Sequence, residues 1–407
     1  EDSKRQILYS ILSRNGFLFN FSATFTDPRD FATCAFSFNL SKFVEEGYGK
    51  HIYVSSAEIS AFRGQGDFSP IEKQKIVLKT LLLLTYINKY FEKIRNNTPS
   101  LRATPLKEGN NTPSANTDTP LKEGNNTPSA NTDTPLKEGN LYHRPLLLTL
   151  VNSVDVEESD LELFFRELEK VAKNEIRADL LKKAKEELVQ EFCDNAKFVF
   201  EELECVIDAD LVSKLDYKDI LKYVLNANTP GKIEVLKIPG NRQELIFRLM
   251  TAEKPFALIK IGDISGWLKD KLEGYEINES FENESYFRRI NRDDSDINVL
   301  MGSRSFYEGW DSNRPNLLLF VNIGVGSDAK KFVLQSVGRG VRIEPQKNMR
   351  KRLQDLHNAG VVKDQLFEDV KDFILPIESL FVFGTNAENL KEIIATLKAE
   401  KQDKNLG

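Results

Sequence analysis

Residues 297–342 read INVLMGSRSFYEGWDSNRPNLLLFVNIGVGSDAKKFVLQSVGRGVR, and this stretch decides the fold. Ile297–Met301 and Leu317–Ile323 are apolar runs of strand length, while Ala329–Val341 has the wider period and length of a helix. Working outward, further strand-like runs lie at Gly16–Phe21, His51–Ser55, Pro145–Val151, Ile233–Ile238 and Phe256–Ile261. Helical stretches lie between them at Ile71–Arg95 and Asp160–Phe192, the latter continuing to Leu225. A short helix is expected over Ser41–Tyr48, capped by Ser41 and stopped by Gly47. Strands alternating with helices at this spacing predict an α/β fold, a parallel sheet with helices on its faces. Ligands of such sheets sit beyond the carboxyl ends of the strands. The chemistry is therefore expected in the loops after Met301 and Ile323, and at the strand ends before Ser22 and Ser153.

The 407 residues leave room for two or three domains, each with its own core. Composition is that of a soluble chain, with 40 % hydrophobic and 29 % charged residues. A net charge of -6 excludes a chain that is basic throughout, so any nucleic-acid contact has to come from a local patch. The dense candidate is Lys347, Arg350, Lys351 and Arg352, with Lys330 and Lys331 before it. The three cysteines, Cys34, Cys193 and Cys205, and the three histidines show no metal-ligand spacing, so free thiols in a reducing cytoplasm are expected. No apolar run reaches membrane-spanning length, and no membrane partner is expected. The sequence opens Glu1-Asp2 without Met, as a piece of a longer protein would.

Thr104–Asp118 reads TPLKEGNNTPSANTD, Thr119–Asp133 repeats it unchanged, and a partial copy ends at Asn140. One Leu and two Pro in each 15-residue copy cannot bury enough apolar surface to offset chain entropy. A disordered tandem-repeat loop is expected.

Gln335, Arg339 and Arg342 are four and three residues apart, so a helix puts an amide and two guanidiniums on one face. Guanidinium forks suit phosphoryl groups, and an Arg offered by a second domain can stabilise charge that develops during ATP hydrolysis. Gly338 and Gly340 are small enough to admit a phosphate or another backbone. Upstream, Gly302, Ser303, Arg304, Gly309 and Asp311 form a loop of small, hydroxyl and charged residues after a strand. Asp311 can accept hydrogen bonds from a ribose or an arginine, and Trp310 reads as a core plug.

The pattern QxxGRxxR resembles motif VI of superfamily 2 helicases. The form S-R-x-F-Y-E-G-W-D at 303–311 is similar to motif V of type III restriction (Res) subunits. Ser22-Ala23-Thr24 resembles motif III, and Leu146–Ser153 resembles motif IV. The resemblance implies a RecA-like fold. It divides the chain into the end of a first motor domain (1–37), an entry segment (38–96), the repeat (97–140), a second RecA-like domain (141–345, with a helical insertion at 155–225) and a helical extension towards a nuclease domain (346–407). It implies Arg342 as arginine finger, Arg339 as second phosphate contact and Gln335 as organiser. Gly309, Asp311 and Gly338 would line the nucleotide, and Ser22, Thr24, Ser153, Ser303 and Arg304 would touch nucleic acid. ATP and Mg²⁺ are the implied cofactors. Double-stranded DNA, a modification (Mod) methyltransferase subunit and an N-terminal motor half are the implied partners.

No G-x-x-x-x-G-K-S/T and no D-E-x-H/D occurs in the chain, and Asp263 and Lys269 do not build a nuclease core. The parent is expected to be an ATP-dependent DNA translocase coupled to cleavage, and this chain alone to be inactive. An inactive fragment of a broken restriction gene and half of an RNA helicase remain as alternatives.

Overall fold

The computed structural model describes residues 4–14, 38–55, 70–98, 140–151, 159–194, 198–201, 203, 207–279, 284–303, 310–323, 326–384 and 395. The expected strand at Gly16–Phe21, the triplet at 22–24 and the body of the repeat lie outside them. The chain divides into two compact units, residues 1–39 and 40–407. In the first, helix α1 (Lys4–Leu12) is described.

The second unit carries a nine-stranded sheet: β1 (His51–Val54), β2 (Leu146–Val151), β3 (Ile233–Lys237), β4 (Glu244–Leu249), β5 (Ala257–Lys260), β6 (Ile277–Glu279), β7 (Val299–Ser303), β8 (Pro315–Val321) and β9 (Ser379–Gly384), in the order β1-β9-β8-β2-β7-β5-β4-β3-β6. Every neighbouring pair is parallel except β5–β4 and β4–β3, so β4 alone is reversed. The reason is connection length: the short links on either side of β4 cannot hold a crossover helix, and only an antiparallel partner is reachable. The protein is thus a mixed α/β structure with a mostly parallel sheet flanked by helices. The expected strands at 51–55, 145–151, 233–238, 256–261, 297–301 and 317–323 all fall in this sheet. β4, β6 and β9 were not anticipated. Strands from 51–54 and 379–384 join those from 146–321 in one sheet.

β2 and β8 are buried at every residue, which is what strands covered on both faces require. Alternate residues of β2 enter different cores. Leu147 and Val151 face the larger one, and Leu146, Leu148 and Leu150 the other. Helix α3 (Pro70–Asn97) fills the larger core, and its run Val77, Leu78, Leu81–Leu84 is buried all round. It can be buried all round because α4 (Asp160–Ala172), α5 (Ala178–Val189), α6 (Ala209–Lys214) and α7 (Tyr217–Tyr223) cover its outer side. The single helix expected over Asp160–Phe192 is broken at Lys173–Arg177, and Ser159 caps α4 by accepting the Glu162 amide.

The other face is covered by α2 (Leu40–Glu45) and α8 (Ser327–Gly340). Ser41 lies inside α2, fully buried, rather than capping it. Gly47 ends that helix with φ of +77°, and a side chain there would collide with Asp355. After α8 come α9 (Leu353–Asn358), α10 (Asp364–Val370) and α11 (Ile374–Ile377), which lead into β9.

Candidate nucleotide-contacting edge

Helix α8 buries Phe332, Val333, Ser336, Val337 and Gly340 against the sheet. Gln335, Gly338, Arg339 and Arg342 form the half-buried stripe beside that face. The Arg342 guanidinium pairs with the Asp311 carboxylate, and the Arg339 guanidinium donates to the Trp310 carbonyl at 3.2 Å. Three residues singled out in two separate motifs are therefore in one place. Asn291 holds the Asp311 carbonyl at 2.7 Å, and Trp310 is buried with its ring 6.0 Å from Phe287. Trp310 is a core plug, as its sequence context suggested.

The location differs from the expected one. Asp311 precedes β8, and α8 runs back antiparallel to β8, so its last turn returns to where that strand began. Gly49, just before β1, bridges to Arg342, and the Lys50 amide donates to the Val341 carbonyl at 2.7 Å. The Asp311–Arg342 pair thus sits at the amino edge of the parallel strands, not the carboxyl edge. Ser303 ends β7 at the carboxyl edge, in register with Val151. Ser22, Thr24, Ser153, Arg304 and Gly309 lie outside the described residues.

The two glycines of the motif differ in use. A Cβ on Gly340 would stand 3.0 and 3.1 Å from the Leu380 methyls, whereas one on Gly338 would meet nothing within 4 Å. Gly340 is a packing residue, and Gly338 leaves the stripe open between Gln335 and Arg342. Gly338→Ala is expected to raise stability by roughly 0.5–1 kcal/mol through helix propensity. Gly340→Ala is expected to lower it by about 1 kcal/mol, overpacking outweighing the same gain. Urea midpoints check this; equal shifts of the same sign would refute the assignment.

The basic patch expected around Lys347 is divided. Arg352 is buried, donating to Glu201 at 2.9 Å and to the Val44 carbonyl. Lys351 lies over the Tyr48 ring at 4.3 Å, and Lys347 and Arg350 are exposed. Lys330 and Lys331 are towards the other end of α8, about 15 Å of helix from Gly340.

Beneath the edge lies a buried polar network that the sequence did not reveal. Lys50 Nζ donates to the carbonyls of Asn313 (2.9 Å) and Pro315 (2.5 Å), so one residue ties the segment after Asp311 to the end of α8. Arg314 is buried and spends its guanidinium on three carbonyls: Arg144 (2.8 Å), Ile297 (2.6 Å) and Ile290. Glu378 accepts from Tyr142 (2.6 Å) and from the Leu353 amide (2.8 Å). Burial pushes the Glu378 carboxyl up to about 7 and, against the pull of Glu378, the Lys50 ammonium down to about 7.

The signs follow. Glu378 binds its proton more tightly folded than unfolded, so its contribution is full below pH 4.5 and lost as pH rises to about 7. Lys50 contributes fully above pH 10.5 and loses this as pH falls to about 7. Stability from the two is least near neutrality. Glu378→Gln keeps the acceptor for Tyr142 and Leu353, and is expected to remove the decline between pH 4.5 and 7, on the order of 3 kcal/mol. Urea midpoints across pH report it; parallel profiles for parent and variant would disprove it.

Among the described residues no group of three or more His, Cys, Asp or Glu could hold a metal ion, and no helix is long and apolar enough to cross a membrane. Compared with known proteins, the chain matches no family model, no curated protein and no solved structure.

Proposed function

We propose that the chain is the second, RecA-like motor half of a superfamily 2 DNA translocase, of the kind found in the restriction subunit of type III restriction–modification systems. The observation that carries the reading is the meeting of Arg342 and Asp311 at one edge, with Arg339 fixed on the neighbouring Trp310 carbonyl. The mostly parallel sheet is compatible with it.

In this reading Arg342 is held by Asp311 until a phosphoryl group competes for it. The pair is partly exposed, at 40 % and 35 %, so exchanging one anion for another costs little. Released Asp311 then accepts hydrogen bonds from a ribose. Arg339 and Gln335 flank the open position at Gly338, where a phosphate oxygen can approach the helix. ATP bound at this edge supplies the cleavable phosphoryl bond. Mg²⁺ and the phosphate-cradling loop are assigned to the other motor half, since this sequence has neither a G-x-x-x-x-G-K-S/T nor a D-E-x-H/D. Nucleic acid is assigned to the opposite edge, where Ser303 ends β7; Arg304, Ser153, Ser22 and Thr24 are assigned the same ligand by motif alone. Separating the two ligands onto opposite edges lets motion of the domain couple one to the other. The modification subunit supplies site recognition.

The test mixes this chain with a polypeptide carrying the phosphate-binding loop and acidic box, and measures ATP hydrolysis with duplex DNA and with RNA. Hydrolysis in the mixture alone, stimulated by DNA, is the expected result. A mixture that adds nothing to a partner that binds ATP normally would overturn the reading.

A further inference from the structure

A second concave site lies at the amino edge on the α3 side of the sheet, the layer opposite α8. It is a cleft of about 240 Å³ between the carboxyl half of α3, the end of α7 and the residues that lead into β2, β5 and β7. Its charged lining is nearly self-neutralised: Lys222 pairs with Glu92 at 3.5 Å, and Lys254 with Asp296 at 3.0 Å. Arg144 is the exception. Its half-buried guanidinium makes no hydrogen bond or ion pair among the described residues.

A further observation points the same way. Asn88 is 5 % exposed and lines the cleft; its amide nitrogen donates to the Tyr223 carbonyl at 3.0 Å, and its Oδ1 has no partner among the described residues. Next to Arg144, the buried Arg314 hydrogen-bonds only carbonyls. Arg314 lies behind the lining, its charge faced by Asp293 and by Asp296 of the cleft, so Arg144 is the cation of the lining left without a bonded carboxylate, and an anion is favoured beside it. The walls at Phe91 and Tyr223 are aromatic.

We infer that this cleft is a binding site for a small oxyanion, the phosphate or carboxylate of a compact organic molecule, clasped by Arg144. Asn88 Oδ1 takes a hydroxyl or N–H donor of the same ligand, and the ring of Tyr223 packs on its body. The cleft shares the amino edge with the Asp311–Arg342 pair but lies on the opposite face of the sheet, and it does not rest on the motor reading.

Calorimetric titration of the full chain at fixed ionic strength, with inorganic phosphate, phenyl phosphate and benzoate in turn, tests it. Saturable one-site binding is expected, weakened on the order of tenfold in Arg144→Gln through loss of a charged hydrogen bond. The unliganded unfolding midpoint of that variant is expected not to fall below the parent value, because the side chain has no hydrogen bond or ion pair to lose and its charge repels the buried Arg314. Tighter binding of phenyl phosphate than of phosphate identifies an organic phosphate. Equal binding identifies free phosphate, and binding of benzoate alone a carboxylate. No saturable binding of any of the three, or equal affinities in parent and Arg144→Gln, overturns the site.

Discussion

Under the proposed motor function, Arg342→Ala is expected to lower DNA-stimulated ATP hydrolysis of the reassembled halves by on the order of a thousandfold, with ATP binding changed only a few-fold. The asymmetry follows from what a second-domain arginine does. Negative charge builds on the transferring phosphoryl oxygens only in the transition state, so a guanidinium aimed there acts on the chemical step and little on ground-state affinity. Arg342→Lys recovers little, because an ammonium cannot reproduce the planar fork. Asp311→Asn weakens the ion pair that holds Arg342 and should cost less than removal of the arginine, since Asp311 is not itself placed on the phosphoryl group. If Arg342→Ala and Arg339→Ala proved equally mild, neither residue would be the finger.

Arg314→Met is expected to destabilise the fold by several kcal/mol, the largest stability effect we anticipate from one substitution. Three carbonyls, those of Ile290 and Ile297 buried and that of Arg144 partly so, would lose their donor together. Each unsatisfied group costs about 1–3 kcal/mol. Removal of a poorly hydrated charge offsets part of this, burial having already drawn the Arg314 pKa down to about 9. Arg314→Lys can serve at most some of the carbonyls, since it lacks the fork. Urea unfolding of parent and variant decides the matter: unchanged midpoints would mean that these carbonyls find other partners.

The part of the fold that could be read from sequence is the part in which burial on both faces makes apolar runs continuous. LLLTLV at 146–151 and NLLLFV at 316–321 are strands of this kind, and α8 announced itself by length and period. β4 was missed because ELIFRL has charged residues at Glu244 and Arg248 whose partners are remote in sequence or on another strand. Arg248 pairs with Glu234 across the β3–β4 ladder, and Glu244 accepts from Ser285 at 2.6 Å. β6 has only three residues, too few for a period. β9 follows a short helix with Glu378 directly before it, and a buried carboxyl does not look like the approach to a central strand.

The candidate edge was legible in its residue types but not in its position. Gln335, Arg339 and Arg342 were identifiable from helical spacing and Asp311 from the residue types of its loop, whereas the edge they occupy depends on α8 turning back along β8. Arg314, Lys50 and Glu378 had no signature at all. Each is a single charged residue beside an apolar run, and what makes it structural is a set of carbonyls and hydroxyls that only the folded chain gathers.

The sheet order has a consequence for how the chain is made. β9 lies between β1 and β8, and β1 pairs with it through His51–Ser379 to Val54–Val382. β1 ends at Val54 and β9 begins at Ser379, so during synthesis β1 waits for its neighbour while more than three hundred residues are added. At ~5–20 residues per second that delay is roughly a quarter of a minute to a minute. For its last few seconds, roughly 3–13 s at ~5–20 residues per second while the chain grows from Val321 to Gly384, β8 has an open hydrogen-bonding edge, with Leu317–Val321 able to pair with any extended chain nearby. A ribosome-bound chain of this sequence therefore depends on a chaperone or on fast helical packing to keep that edge covered until residue 384 is free.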